Sequence, residues 1–151
     1  MRRPPQAWGI SRGARASIPQ RRRPGGAWKR GTLYVGESSG RIWGAVIINN
    51  HQAREYEDGA WTLPAEPEEV GVLHTLCVHP EARGRGHAAE LVRYGENLCR
   101  TQGRRVMRLD TRAVNVPGLK LYASLGYREA GQVECLQNCA PDRVQLYEKA
   151  L

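Results

Sequence analysis

Two arginines and two glycines alternate at Arg83, Gly84, Arg85 and Gly86, between an apolar run and a helical pattern. The first N–H groups of a helix have no internal partner and lie at the positive end of its dipole. Glycines let an anion approach that main chain closely, and Arg83 and Arg85 add charge. This is the chemistry of a pyrophosphate cradle, with a charged surface turn as the plain alternative. The spacing from Arg83 to Ala88 is Arg-x-x-Gly-x-Ala, which is neither the dinucleotide fingerprint nor a P-loop. Two further side chains suit proton transfer. His74 interrupts an otherwise apolar stretch, and an imidazole titrates near neutrality. A hydrogen-bonded core histidine explains it equally well. Tyr122 carries a phenol that stays protonated at neutral pH and donates over short range. Taken alone it reads as a core aromatic. Glu66, Glu68 and Glu69 are rival bases or amine-binding groups, with solvated carboxylates as the simpler account.

The surrounding pattern must place these residues. Residues 32–37 and 42–49 have strand composition around a turn at 38–41, and read as a hairpin. Residues 50–69 are polar, with Pro64 and Pro67, and form a long loop. Residues 70–78 are nearly all apolar and end at His79-Pro80, so they predict a strand buried on both faces. Ala88, Leu91, Val92, Gly95, Leu98 and Cys99 then recur at helical spacing, and Gly103 is placed to stop the helix. Residues 104–111 alternate as a strand. Asn115 and Pro117 open a short helix that Gly126 ends. Two closing strands follow. The order β-β-β-α-β-α-β-β predicts an α/β (α+β) fold with a mixed, mostly antiparallel sheet and a parallel strand–helix–strand unit over residues 70–110.

The net charge of +8 is unevenly spread. Residues 1–30 hold nine Arg/Lys and no Asp/Glu, whereas residues 31–151 hold fourteen against fifteen. Residues 1–30 are rich in Arg, Pro and Gly and read as a disordered or irregular segment. A solvated leader is the simpler account; weak polyanion binding through counterion release is the alternative. An Arg-rich transit peptide is a lesser one, because Pro4, Pro5, Pro19 and Pro24 oppose a helix. No apolar run reaches the roughly 20 residues of a membrane span, and no secretory signal is expected. Cys77 and Cys99 read as small buried hydrophobes of a reducing compartment, and a cytoplasmic protein follows. The four cysteines show no paired Cys-x-x-Cys, so no metal site is expected; for Cys135 and Cys139 separate structural roles are the simpler account, with pairing or metal binding as the alternative.

The stretch LHTLCVHPEARGRGHAAELV resembles the acyl-CoA-binding motif of the GNAT superfamily of N-acetyltransferases. LDTRAVNVPGLKLYASLGY resembles that superfamily's next segment, and GTLYVGESSGRIWGAVII its early hairpin. The resemblance covers residues 31–151. It implies a GNAT domain there, an acyltransferase that uses acetyl-CoA as cosubstrate, and transfer to a primary amine by direct attack. The alternative is an acyl-CoA-binding module without turnover. The resemblance implies that the main chain of Leu76, Cys77 and Val78 holds the pantetheine arm. It gives Arg83, Gly84, Arg85, Gly86, His87 and Ala88 to the pyrophosphate and Asn115 to the coenzyme arm. Tyr122 becomes the general acid, and His74 the best candidate for the base. An amine acceptor and a homodimer are the expected partners. One departure stands out: about 31 residues of poor helix composition precede Thr32, where the family has a strand and one or two helices that wall the amine site.

Overall fold

The structure, a computed structural model, describes residues 9–12, 26, 27, 30–137 and 140–151. Among these, the strands and α-helices run β1 (Gly9–Arg12), β2 (Leu33–Ser38), β3 (Arg41–Asn49), β4 (Val70–Val78), α1 (His87–Thr101), β5 (Val106–Arg112), α2 (Val116–Ser124), β6 (Arg128–Gln137) and β7 (Ala140–Ala150). Short 3-10 turns occupy Arg54–Asp58, Pro67–Glu69 and Pro80–Ala82. The sheet is mixed and mostly antiparallel, as the order of elements predicts, with β4 and β5 as the parallel pair. The chain forms two compact units, Met1–Ile48 with Thr75–Tyr94 and Asn49–His74 with Gly95–Leu151.

In the first unit β2 and β3 form the expected hairpin. Ser39 and Gly40 both have positive φ, at 51° and 74°, as a two-residue turn that matches strand twist requires. Leu33, Val35, Ala45 and Ile47 bury one face of the hairpin with Ala27. On the other face Trp43 lies flat across Gly36, where a Cβ would stand 2.2 Å from the indole. Leu91 of α1 closes over Gly44, and Tyr94 packs on Tyr34 with ring centroids 5.4 Å apart. The His79 N–H donates to the Trp43 carbonyl at 2.8 Å, which ties the end of β4 to β3. The segment before residue 30 is not wholly irregular: β1 pairs antiparallel with β2 from Gly9↔Glu37 to Arg12↔Tyr34. Such pairing needs only backbone donors and acceptors, so composition gives little sign of it.

In the second unit the strand order is β4-β5-β7-β6. The β4–β5 ladder is short, from Val70↔Val106 to Leu73↔Leu109. Val70, Val72, Val133, Val144 and Leu146 form the core, with Tyr56 and Ala130. A Cβ at Gly71 would stand 2.4 Å from Cys99 Sγ, so that glycine lets the end of α1 approach β4. Cys99 is buried as expected, but Cys77 is exposed. The reason is local: β4 is buried through Leu73 and then alternates, which corrects the reading of one strand buried along its whole length. Glu96 is a buried carboxylate within the apolar pattern of α1, held by Lys149 Nζ at 2.9 Å. Cys139 lies outside the described residues.

Candidate active site

The cradle predicted at residues 83–88 belongs to the first unit. Gly84 and Gly86 have φ of 72° and 83°, and nothing lies within 4 Å of a Cβ placed at either. Backbone conformation demands both glycines, and the open space leaves the main chain approachable. The Glu90 N–H donates to Gly86 O at 3.1 Å, so the N–H groups of His87, Ala88 and Ala89 precede the first helical bond. The side chains take unequal parts. Arg85 is exposed. Arg83 Nε turns back to donate to Val78 O at 3.3 Å. The His87 imidazole is buried, stacked on Trp43 at 4.2 Å, with Nδ1 3.3 Å from a Glu90 carboxylate oxygen. It anchors the helix start to the hairpin, so what His87 offers an anion is its main chain. Leu76, Cys77 and Val78 lie in the part of β4 beyond its ladder with β5.

The residues whose types suit proton transfer belong to the second unit. His74 and Asp110 are the next residues along β4 and β5 after the last ladder pair, Leu73↔Leu109. His74 Nε2 lies 3.0 Å from Asn49 Oδ1 and 3.1 Å from the His51 carbonyl oxygen. A carbonyl only accepts, so Nε2 carries the proton, and the neutral ring has its lone pair on Nδ1. Burial pushes the His74 pKa below its ordinary value, against an opposing pull from the Asp110 carboxylate. The ring is therefore neutral at neutral pH. Tyr122 is buried among Tyr127 and Tyr147, with ring centroids 5.9 and 5.7 Å away. Its pKa is pushed up to about 12 by burial first, then by Asp110 and Tyr147. Asp110 thus acts electrostatically on both His74 and Tyr122.

Asp110 and Tyr56 are the site residues that sequence reasoning missed. Tyr56 Oη donates to Asp110 Oδ1 at 2.7 Å. Burial, and then Asp110, raise the Tyr56 pKa. Position was the available signal for Asp110, a carboxylate that follows Val106, Met107 and Leu109 in a strand pattern; Tyr56 sits in a loop with no period. The three acidic rivals divide differently. Glu66 and Glu69 form a reciprocal capping box at the 3-10 turn before β4, and Glu69 also accepts from Arg105 at 3.2 Å. The pair is thus committed to shaping that turn, and Glu68 is exposed. Asn115 caps α2 as predicted: its Oδ1 accepts from the Gly118 N–H at 3.3 Å and its Nδ2 donates to Thr111 Oγ1 at 2.8 Å. The structure therefore gathers His74, Tyr122, Asp110 and Tyr56 in one unit, and the residues from Leu76 to Ala88 in the other. Among the described residues no group of three or more His, Cys, Asp or Glu is gathered as a metal site would need. No helix among them is long and apolar enough to cross a membrane.

Known proteins share this fold. An N-acetyltransferase of uncharacterized role from Methanocaldococcus jannaschii is 31% identical over 72 residues, 48% of this chain and 32% of that one. The chain thus spans about a third of the length of that relative. A protein from Staphylococcus aureus, thought to be an acetyltransferase, superposes with a TM-score of 0.64 at 27% identity, over 82% of this chain and 74% of that one. A protein of Salmonella typhimurium solved with its cofactor acetyl-CoA shares the fold, with a TM-score of 0.61 at 18% identity over 79% and 64% of the two chains. Residues 8–127 match the family model described as the Acetyltransferase (GNAT) family, so the match takes in β1 and begins well before the hairpin. The chain belongs to the GNAT family of acetyltransferases, whose acyl donor is acetyl-CoA.

Proposed function

We propose that the protein transfers an acetyl group from acetyl-CoA to a primary amine by direct attack within a ternary complex. The observation that carries this reading is the placement of Asp110, which follows the β4–β5 ladder as His74 does, accepts from Tyr56 Oη at 2.7 Å, and acts by its charge on the His74 imidazole and the Tyr122 phenol. A donor–acceptor reaction needs both. The cradle suits the coenzyme: two left-handed glycines leave open space before the first turn of α1. When bound, the coenzyme supplies an activated acetyl thioester. Main-chain groups of Leu76, Cys77 and Val78 bind its arm, and those of Arg83 to Ala88 bind its pyrophosphate. Asn115 contributes through the loop it shapes before α2.

An ammonium group is no nucleophile, so the amine must lose a proton. His74 Nδ1 takes it, directly or through a water. Asp110 steadies the imidazolium that results, by charge and at close range. Tyr122 donates a hydrogen bond where negative charge develops on the leaving sulfur, and its proton follows. A phenol held near 12 keeps its proton until that charge appears. The released thiol gives the direct assay, with acetyl-CoA and a panel of amines and N-terminal peptides. Turnover with at least one acceptor is the expected result. Coenzyme binding by calorimetry with no turnover on any acceptor would make the protein a binding module. Tyr122→Phe is expected to lower kcat on the order of 100-fold while leaving coenzyme affinity within about twofold.

A further inference from the structure

The chain between β3 and β4 has the composition of a solvated loop, yet strands β4 to β7 hold its residues 50–63 at five places. Two of them lie at the candidate site: the His51 carbonyl on His74, and Tyr56 Oη on Asp110. The other three lead away from it. Arg108 is a buried cation on β5, two residues before Asp110 and on the same face of the strand. Its NH1 donates to Gln52 Oε1 at 2.7 Å, and its guanidinium lies over the Trp61 ring, 4.3 Å from the centroid. Trp61 in turn donates from Nε1 to the Tyr56 carbonyl at 2.7 Å. Glu148 on β7 stands opposite Arg108 in the ladder and is 1% exposed. Its Oε1 accepts from the Thr62 N–H at 2.8 Å and from Thr62 Oγ1 at 2.7 Å, and its Oε2 accepts from the Leu63 N–H at 3.3 Å. Finally, the Ala60 N–H donates to Ala130 O at 2.9 Å.

Burying a charge costs desolvation that its partners rarely repay in stability, and Glu148 has its ion-pair contact with the exposed Arg128, at 3.7 Å. Two buried charges spent on one loop therefore call for another account. We infer that Arg108 and Glu148 are positioning residues: they set the register of residues 52–63, and through that loop the hydrogen-bonded geometry of His74 and Asp110. The inference rests on the reading that those two residues handle the amine's proton. It makes the acceptor half of the reaction depend on a clamp that touches neither substrate. The coenzyme half, built on residues 76–88, does not depend on it.

Glu148→Gln keeps the shape but loses one acceptor oxygen. Thr62→Val removes one donor from an exposed position and serves as the milder variant. Three readings are taken on each: hydrogen exchange across residues 52–63, the His74 titration midpoint by NMR, and steady-state kinetics with both substrates. Exchange over 52–63 should speed up, and the His74 midpoint should rise toward its ordinary value as the loop uncovers it. Asp110 stays in place on β5, and the lost burial, the largest influence on this ring, outweighs the loosened His51 carbonyl, which acts the other way. The amine kcat/KM should fall on the order of 10- to 100-fold in Glu148→Gln, and less in Thr62→Val, with coenzyme affinity unchanged. An unchanged His74 midpoint with unchanged amine kinetics overturns the inference, as does an equal loss for both substrates. A wild-type protein without turnover overturns the acetyl-transfer reading instead, and the His74 midpoint then decides the clamp alone.

Discussion

For His74, the proposed base, the surroundings set the pH range of the expected activity. Its base form is the neutral ring, and burial lowers its pKa below the ordinary 6.5. Activity is therefore expected to persist as pH falls through 6.5 and to decline only below it. A pH profile of amine kcat/KM measures this, and a decline centred at or above 6.5 would remove His74 from the role. Stability follows with a matching sign: the unfolded chain takes up the proton first, so this residue's contribution is lost as pH drops below the unfolded value. Tyr122 sets no alkaline limit in the working range, since its pKa lies at about 12. At this scale the sequence was only partly legible. Tyr122, Asn115 and the glycines sit in a contiguous motif, so type and spacing reveal them. Asp110 needs Tyr56 from 54 residues away to show its role, and that contact exists only after folding. His87 misleads for a similar reason, since its place in the motif gives no sign that its ring turns to Trp43.

Elements were more legible than contacts, because periodicity is local. The paired strands, both helices and the glycine stops follow from spacing; Gly103 and Gly126 have φ of 76° and 81° where the helices end. Irregularities within elements were not legible. Thr75, a β-branched residue, has φ of 49° in the middle of β4, a left-handed conformation that costs such a side chain energy. It lies between His74, the proposed base, and Leu76. Thr75→Gly is expected to relieve that strain and raise stability by about 0.5–1 kcal/mol, read by urea denaturation. A loss of stability would show that the surrounding strand, rather than the side chain, favours this geometry. Gly86→Ala tests the opposite case. With φ at 83° it should cost about 1 kcal/mol, and coenzyme affinity should fall with it as the helix start shifts. Unchanged affinity in a folded Gly86→Ala protein would remove the loop conformation from coenzyme binding.

Across the whole molecule, the positive charge is a property of residues 1–30, and the remainder is close to neutral. If that segment binds polyanions, replacing Arg21, Arg22 and Arg23 with Gln should flatten the salt dependence of binding to a nucleic-acid homopolymer by about two to three counterions. An unchanged slope would place the binding elsewhere. Substitution is the better test than deletion, since removing residues 1–30 also removes β1 and bares the edge of β2. Composition identified this segment by its charge but could not show its strand, because four backbone pairs leave no periodic trace. One packing detail also turns the protein into its own instrument. Intrinsic emission sums every tryptophan, and among the described ones Trp43 is the one stacked on an imidazole, the first residue of α1. An imidazolium quenches an excited indole at contact, whereas a neutral ring does so far less. Emission from Trp43 should therefore change with the position of the His87 ring, and so report, without any added dye, when a ligand settles at the start of the helix.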